Sequence, residues 1–450
     1  MSQKKYWKNL AELENSPAYQ QEAANEFQQE LPVLGMGDEL LNARTPRRDF
    51  LKYMGFTTLA ATIAASCEMP VRKATPYAIR PDAELQTPGV PNYYASTFVD
   101  NGDYCAVVVK TRDGRPIMIE GNNLSGVTKG GVTARVVAAT LSLYDVARLR
   151  GPHVNGKLAD VFDKVDGPVM EGLANAGGQI VLLTGTIISP SSREVINRFL
   201  ARYPNAKHIQ YDPVSYSGML QANEACFGKR ALPTYHFEKA QTVFSLGADF
   251  LGSWLAPAQF GVDYASLRKI SAKNPVMSKH YQVEGMMSMT GLSADERATC
   301  KPSEYGKVAT ALYNAIVSGA APSLPGKKLN ALITAAAADL KKGNGMVVCG
   351  SNDQNVQTII NAINSAIGAY GSTIDWNVIS NYKQGIDAEM VALTQAMNNG
   401  QVGALLVHGV NPVYDYFDGK AFAEGMKKVK TTVSFNDRMD ETTQRCTYAI

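Results

Sequence analysis

Apolar segments typical of buried strands alternate with helix-like segments through most of the chain from Val161 onward. This alternation is typical of parallel sheets that are covered by helices on both faces. The predicted strands, which are short, apolar and bounded by small or polar residues, are 179–185, 208–212, 242–249, 345–350, 403–409 and 431–436. The predicted helices between them are 191–203, 331–341, 355–369 and 420–428. The pattern therefore predicts an α/β fold.

The α/β pattern is interrupted once, by a Pro- and Gly-rich segment at 320–326. A chain of 450 residues is also too long for one ordinary core. We therefore expect two doubly wound parallel-sheet units, the first at 126–320 and the second at 327–450. Self-similarity at a fixed period, as in a solenoid, is absent from the sequence.

A small β unit is predicted ahead of these two, at residues 92–125. Two β-rich runs, 104–110 and 116–121, lie on either side of Asp113-Gly114. An Asp-Gly pair between apolar runs is a strong hairpin signal, because both residues tolerate the left-handed backbone of a tight turn.

Composition excludes some classes of protein. The chain is 45% hydrophobic and 19% charged, which is typical of a globular protein and argues against general disorder. The net charge of +3 is spread thinly and forms no basic stripe with interleaved aromatic residues. Nucleic acid is therefore not expected as a partner.

The cysteines do not form the close pairs from which clusters and zinc sites are built. A CxxC pair supplies two thiolates from one short loop, and this sequence contains none. The six cysteines are Cys67, Cys105, Cys226, Cys300, Cys349 and Cys446. The five histidines likewise show no metal-ligand spacing, and each is interpreted as structural or exposed. No catalytic group and no metal site is predicted.

The turns that follow the predicted strands are rich in small residues, as at 184–186, 247–249, 350–353 and 409–412. Parallel sheets bind ligands at this edge, and a helix N-terminus there can contact a phosphate. However, small residues also make tight turns, and neither GxGxxG nor a P-loop is present. We therefore favour the interpretation as turns.

A targeting signal is predicted at residues 46–67, after an N-terminal extension at 1–45. A pair of arginines precedes the mildly apolar run 53–66, which is shorter than the roughly 20 residues of a membrane span. The arrangement resembles a twin-arginine export signal. The residues of the expected signal are Arg47, Arg48, Phe50, Leu51 and Lys52.

Cys67 follows the apolar run directly, after Ala64-Ala65-Ser66. Small residues before a cysteine resemble a lipobox, so acylation of Cys67 is expected. The alternative is cleavage after small residues, with Cys67 unmodified. The segment 68–91 contains five prolines and is predicted to be an extended tether.

Several segments, in a fixed order, resemble molybdopterin oxidoreductases. These segments are 105–122, 130–152, 243–254, 290–297, 408–417 and 440–450. Together with the long extension before the arginine pair, they are most similar to the iron–sulfur subunits of alternative complex III, in the twin-arginine-variant-translocated molybdopterin oxidoreductase family. The resemblance implies a molybdopterin-oxidoreductase-like fold.

The departures from that family concern its cofactors. An active member has three further cysteines near Cys105 for a [4Fe–4S] cluster, but residues 92–100 contain none. One thiolate cannot hold four irons, so Cys105 is expected to be a packed core residue in a degenerate cluster domain. We identify no residue that would ligate molybdenum. No molybdopterin is therefore expected, and the iron–sulfur clusters are expected in a C-terminal half beyond Ile450, with the second α/β unit truncated.

The resemblance implies a non-catalytic scaffold domain in a respiratory quinol:cytochrome c oxidoreductase, or one with another periplasmic acceptor. Its expected partners are a haem c subunit, a quinol-binding membrane subunit and, through Cys67, the lipid bilayer. The expected location is the periplasmic side of the bacterial inner membrane. Two alternatives remain open: an active bis-molybdopterin oxidoreductase large subunit, and a periplasmic binding lipoprotein.

Overall fold

The computed structural model of the chain describes residues 89–100, 103–272 and 275–450. The N-terminal extension, the arginine pair, Cys67 and the tether as far as residue 88 lie outside the described residues. Among the helices that are described, none combines the length and the apolar character that a membrane span requires.

The small β unit is an antiparallel sheet in the order β1-β2-β3. Its strands are β1 (Asn92–Asp100), β2 (Asp103–Arg112) and β3 (Arg115–Gly121). The predicted hairpin turns at Asp113 (φ +50°) and Gly114 (φ +76°), the left-handed backbone that favours this pair. The sequence analysis assigned no strand to β1.

The larger α/β sheet has seven strands in the order β5-β4-β16-β15-β14-β6-β7. Neighbouring strands from β16 to β7 are parallel, and β4 and β5 form an antiparallel edge. The strands are β4 (His153–Val154), β5 (Lys157–Leu158), β6 (Gln179–Thr184), β7 (Ala206–Gln210), β14 (Val402–His408), β15 (Thr431–Ser434) and β16 (Tyr448–Ala449).

The second α/β sheet has four parallel strands in the order β11-β10-β9-β12. They are β9 (Thr242–Leu246), β10 (Lys279–Glu284), β11 (Glu296–Thr299) and β12 (Gly345–Cys349). A separate antiparallel pair is formed by β8 (Leu232–Tyr235) and β13 (Ile374–Ser380).

Helices lie between the strands throughout. They are α1 (Ala134–Ala138), α2 (Thr140–Leu143), α3 (Asp163–Ala174), α4 (Pro190–Arg202), α5 (Ser217–Phe227), α6 (Pro257–Ser266), α7 (Met289–Leu292), α8 (Tyr305–Val317), α9 (Lys327–Leu340), α10 (Gln354–Ala366), α11 (Asp387–Asn398), α12 (Pro412–Asp415) and α13 (Gly419–Met426). Short 3₁₀ helices occur at Phe237–Lys239, Pro302–Glu304 and Thr443–Arg445.

Strand β6 shows why its sheet is covered on both faces. Successive side chains of a strand point to opposite faces. Ile180 and Leu182 accordingly pack in one core cluster with residues of α3 and α4, whereas Val181 and Leu183 pack in another with residues of α11 and α13. All of these side chains are apolar, so burial on both faces is favourable. The predicted α/β class is confirmed.

The expected division at residues 320–326 does not separate the two sheets. Strand β12 follows that division but pairs with β9, which precedes it. Strand β14 follows β12 and returns to pair with β6. The four-stranded sheet is therefore an insertion within the chain of the seven-stranded one. The interruption at 320–326 is a connection between α8 and α9, within the helical cover of the four-stranded sheet.

Candidate functional site at the carboxyl edges of the sheets

The carboxyl ends of β6 and β7 place Thr186 and Asp212 beside each other. Adjacent parallel strands end at the same edge, which is where sheets of this kind bind ligands. The Thr186 hydroxyl donates to both carboxylate oxygens of Asp212, at 2.9 and 2.7 Å. Asp212 is 3% exposed, so its charge needs partners within the protein.

Those partners come from the loop that follows β13. The backbone N–H of Gly385 donates to Oδ2 of Asp212 at 2.8 Å, and that of Gln384 at 3.1 Å. The Lys383 ammonium lies 3.9 Å from Oδ1. Two backbone amides, a hydroxyl and an ammonium are the donors that would hold a bound anion. Here the protein's own carboxylate occupies that position.

The loop can come this close to Asp212 only because position 385 is glycine. A Cβ atom there would lie 2.8 Å from the backbone nitrogen of Asp212 and 2.9 Å from its carboxylate. These separations are too short for real Cβ contacts, so any side chain would push the loop away from Asp212.

The turn after β14 is likewise paired with another part of the chain. The N–H of Gly409 donates to Oδ1 of Asn436 at 2.7 Å. Oδ1 of Asn411 accepts from the hydroxyl of Thr442 at 2.7 Å and from its N–H at 3.1 Å. Two of the segments that resemble molybdopterin oxidoreductases, 408–417 and 440–450, therefore hold each other in place.

At the edge of the four-stranded sheet, the turns after β9 and β12 are in direct backbone contact. A Cβ on Gly350 would lie only 2.1 Å from the carbonyl oxygen of Gly247. Beside them, Oδ1 of Asp249 accepts from the hydroxyl of Thr290 at 2.8 Å and from its N–H at 3.0 Å. The small residues are thus used for close packing of turns, as the sequence interpretation held.

Glu284, at the end of β10, is a second buried carboxylate with a full set of partners. It is 3% exposed and accepts from Nε of Arg297 at 2.6 Å and from the hydroxyl of Ser288 at 2.6 Å. Burial alone would raise the pKa of Glu284, but these hydrogen bonds outweigh burial and hold the pKa below its usual value.

The donors and acceptors described at both edges are therefore engaged within the chain. A pterin dinucleotide would need such donors for its phosphates. To bind those phosphates, the donors would have to break several hydrogen bonds within the chain. In their present arrangement, these residues therefore do not fit that cofactor.

Cys105 does not fit an iron–sulfur cluster either. Its side chain is 1% exposed, and Sγ donates to the carbonyl oxygen of Gly131 at 3.1 Å. Burial raises the pKa of the thiol, which disfavours the thiolate that a cluster needs. Within the ranges that the structure describes, no three His, Cys, Asp or Glu side chains are grouped as a metal site would require. Cys105 is a packed core residue, as expected.

The other described cysteines lie on separate elements. Cys226 is in α5, Cys300 follows β11, Cys349 ends β12 and Cys446 precedes β16. The predicted export residues, which are outside the described residues, are Arg47, Arg48, Phe50, Leu51 and Lys52, together with the lipidation residue Cys67.

Sequence reasoning missed Asp212. Its local signal is an acidic residue at the carboxyl end of the predicted strand 208–212, where a buried, unpaired charge would be costly. Its partners at 384 and 385 lie more than 170 residues further along the chain, so the pairing itself has no local signal.

No protein-family model matches the chain. A curated relative, the "Menaquinone reductase, molybdopterin-binding-like subunit" of Nitratidesulfovibrio vulgaris, is 22% identical over 395 residues. The alignment covers 76% of this chain and 56% of the relative, so the chain spans little more than half of that protein.

The fold of this chain is also found in a solved structure. Acetylene hydratase from Pelobacter acetylenicus superposes with a TM-score of 0.54 at 11% identity, covering 77% of this chain and 61% of that one. The formyltransferase/hydrolase complex from Methylorubrum extorquens gives a TM-score of 0.46 at 12% identity, covering 67% and 86%. The chain therefore shares its fold with acetylene hydratase and is similar in sequence to a subunit named molybdopterin-binding-like, which agrees with the expected molybdopterin-oxidoreductase-like fold.

Proposed function

We propose that this chain belongs to the iron–sulfur subunit of a respiratory quinol oxidoreductase of the alternative complex III type. In that subunit it is a scaffold domain without a redox cofactor of its own. The main support is the similarity to a menaquinone reductase subunit whose own name is "molybdopterin-binding-like". That relative is a subunit of a quinone-linked enzyme, which favours an electron-transfer complex over an independent enzyme.

The absence of a molybdopterin is part of this proposal, and the site geometry supports it. The Asp212 carboxylate occupies the donors of Thr186, Gln384 and Gly385 that a phosphate or a metal-bound group would otherwise approach. The absence of a cluster in this segment is supported by Cys105, a single buried thiol. A scaffold needs neither group, because its role is to hold partner subunits at fixed distances.

The partners proposed are a haem c subunit and a quinol-binding membrane subunit, with iron–sulfur clusters carried by the intact subunit outside this segment. The proposed location is the periplasmic side of the inner membrane. Export would use the twin-arginine pair Arg47-Arg48, and an acylated Cys67 would anchor the chain in the bilayer. Folded-state export by that route suits a subunit that acquires its clusters before translocation.

Metal and pterin analysis of the full-length subunit, purified from its native membranes, tests the absence of molybdopterin. We expect molybdenum, tungsten and pterin below one-tenth of the protein on a molar basis, with iron present only if the chain continues past Ile450. Stoichiometric molybdenum and pterin would contradict the proposal and support an active molybdoenzyme.

The same preparation distinguishes the proposed complex subunit from a periplasmic binding lipoprotein. Such a protein would purify without haem and without a multi-span membrane protein, whereas a complex subunit would bring both. The iron content of residues 1–450, expressed alone if they prove to fold, gives a separate measurement. A stoichiometric cluster signal there would contradict the interpretation of Cys105.

A further inference from the structure

A cleft of about 670 Å³ lies between the small β unit and the α/β sheets. This volume is within the range of small-molecule sites, roughly 300–1,000 Å³. Its walls come from β1 and β2, the turn before α1, the β8–β13 pair and helix α6. The cleft is separate from the Asp212 site and does not include Asp212, Gln384 or Gly385 among its lining residues.

Two pairs of hydrogen-bonded side chains contribute polar groups to the cleft. Nζ of Lys129 lies 2.6 Å from Oδ1 of Asp263, whose side chain is only 3% exposed. Nδ1 of His236 lies 2.9 Å from Oε1 of Glu238. Lys129 has a left-handed backbone (φ +50°), which is uncommon outside glycine and is often found at functional sites.

Glu238 has an acceptor that the protein does not use. Its Oε2 atom is buried and has no hydrogen-bond partner among the described residues. An unsatisfied buried carboxylate oxygen is costly, at about 1–3 kcal/mol or more. The atom therefore favours a ligand that brings an N–H or O–H donor.

The charge of the lining favours a positive ligand. Three carboxylates line the cleft, those of Glu238, Asp263 and Asp375, against the single ammonium of Lys129. The sum over these four side chains is −2. Burial and then the negative charge of Glu238 raise the pKa of Asp263, so the carboxylates of Glu238 and Asp263 are close enough to repel each other. An anionic dinucleotide would increase that repulsion, whereas a cation would relieve it.

The remaining walls are apolar and aromatic. The rings of Tyr235 and Phe260 meet edge to face at 6.3 Å. Leu255, Val127 and Val378 extend the apolar lining, and Val378 is 61% exposed at its rim. Such walls suit a planar or compact hydrocarbon body, and an aromatic face also attracts a cation.

We propose that this cleft binds a small organic cation, an apolar or aromatic body with a protonated amine that donates to Oε2 of Glu238. The apolar walls hold the body, and the carboxylates Glu238, Asp263 and Asp375 neutralise the charge. The site is independent of the proposed respiratory role.

Fluorine NMR on the purified full-length chain tests this proposal with three probes of one shape. They are para-fluorobenzylamine, which is positively charged, para-fluorobenzyl alcohol, which is neutral, and para-fluorobenzoate, which is negatively charged. We expect saturable line broadening by the amine, with a Kd of about 1 mM or tighter. The alcohol should bind about tenfold more weakly or worse, and the benzoate should show no saturable binding.

Two variants locate the binding. Glu238→Gln keeps the shape but removes the charge, and should weaken amine binding by about tenfold or more. Val378→Trp fills the mouth of the cleft from an exposed position and should abolish binding without affecting the core. The matched control is Glu224→Gln, a carboxyl paired with Arg230 outside the cleft lining, which should bind the amine as the wild type does.

Circular dichroism melts check that each variant is folded. The proposal is overturned if the amine does not broaden saturably, if all three probes bind equally, or if Val378→Trp binds the amine as the wild type does. Unchanged amine affinity in a folded Glu238→Gln variant would also overturn it.

Discussion

Thr186 and Asp212 lie 26 residues apart in the chain, and their side chains meet at 2.7 Å at the ends of adjacent strands. The loop at 383–385 closes over the pair and gives the carboxylate two backbone N–H groups. A charge with this many internal partners is a fixed structural element. The edge of the sheet that could accept a ligand is thus occupied by the protein itself.

Removal of this carboxylate should destabilise the fold. In Asp212→Ala, the Thr186 hydroxyl and the amide of Gly385 lose their acceptor in a buried site, and the amide of Gln384 keeps only the Thr186 hydroxyl oxygen. We expect the free energy of unfolding to fall by about 3 kcal/mol or more, since each unsatisfied buried donor costs about 1–3 kcal/mol. Urea denaturation measures the change.

The control for that experiment is Asp160→Asn, which removes a carboxyl from the exposed pair with Lys164. It should leave the unfolding free energy nearly unchanged. A similarly small effect of Asp212→Ala would mean that the Asp212 partners are satisfied by water, and would contradict the buried site described above.

Asp415 should make stability depend on pH. Burial raises the pKa of its carboxyl to about 6. The folded protein then keeps a proton that the unfolded chain loses near pH 4. The protonated Asp415 carboxyl therefore contributes to the stability of the fold below about pH 4, and this contribution is lost as the pH rises from about 4 to 6. Asp415→Asn removes the cost of the charge, and should gain stability relative to the wild type by about 1 kcal/mol at neutral pH, since partial exposure reduces the effect.

Thermal melts at pH values on both sides of that range measure the difference. Tyr211→Phe tests the same carboxyl in another way. The Tyr211 hydrogen bond lowers the pKa of Asp415, so its removal should raise that pKa further. Without that bond, the range in which stability is lost should extend to higher pH. A stability difference between wild type and Asp415→Asn that is the same at all pH values would contradict the raised pKa.

The strands and helices could be predicted because their signals are local. Four apolar residues in a row between turns identified β6, β12 and β14, the largely apolar run 243–246 identified β9, and Asp113-Gly114 identified the hairpin. The order of the strands could not be predicted in the same way. Pairing of β12 with β9 is determined by packing over about a hundred residues, and any buried apolar strand could occupy that place.

The candidate sites show the same contrast between local signals and long-range contacts. The burial of Cys105 followed from the lack of neighbouring cysteines, which is a local observation. The pairing of Lys129 with Asp263 joins residues 134 positions apart, and neither stands in a recognisable motif. Sequence reasoning therefore predicted the burial of Cys105 more readily than the long-range contacts that the chain makes.

The arginine pair should determine export. Replacement of Arg47 and Arg48 by Lys keeps the positive charge but removes the paired guanidinium groups, so the precursor should accumulate in the cytoplasm. Cell fractionation with immunoblotting measures the distribution. Replacement of Lys4 and Lys5 by Arg, which leaves the pair intact, is the control. Normal export of the Arg47→Lys, Arg48→Lys variant would contradict a twin-arginine route.

Cys67 should be acylated. Two or more acyl chains hold a protein firmly in a bilayer, since each buried methylene contributes about 0.8 kcal/mol, and one chain alone binds only marginally. Mass spectrometry of the N-terminal peptide should show a peptide that begins at Cys67 with an added diacylglycerol mass. An unmodified peptide that spans Ser66 and Cys67 in the mature protein would exclude the anchor.

The composition of the complex that the full-length chain forms in its native membrane tests the central claim most directly. Mild detergent extraction, affinity purification through the chain and quantitative mass spectrometry would give the stoichiometry of its partners. We predict a haem c protein and a multi-span membrane protein, each at about one copy per chain, that reduce a cytochrome or another acceptor with quinol. A chain that purifies without partners, or with stoichiometric molybdopterin, would contradict the account.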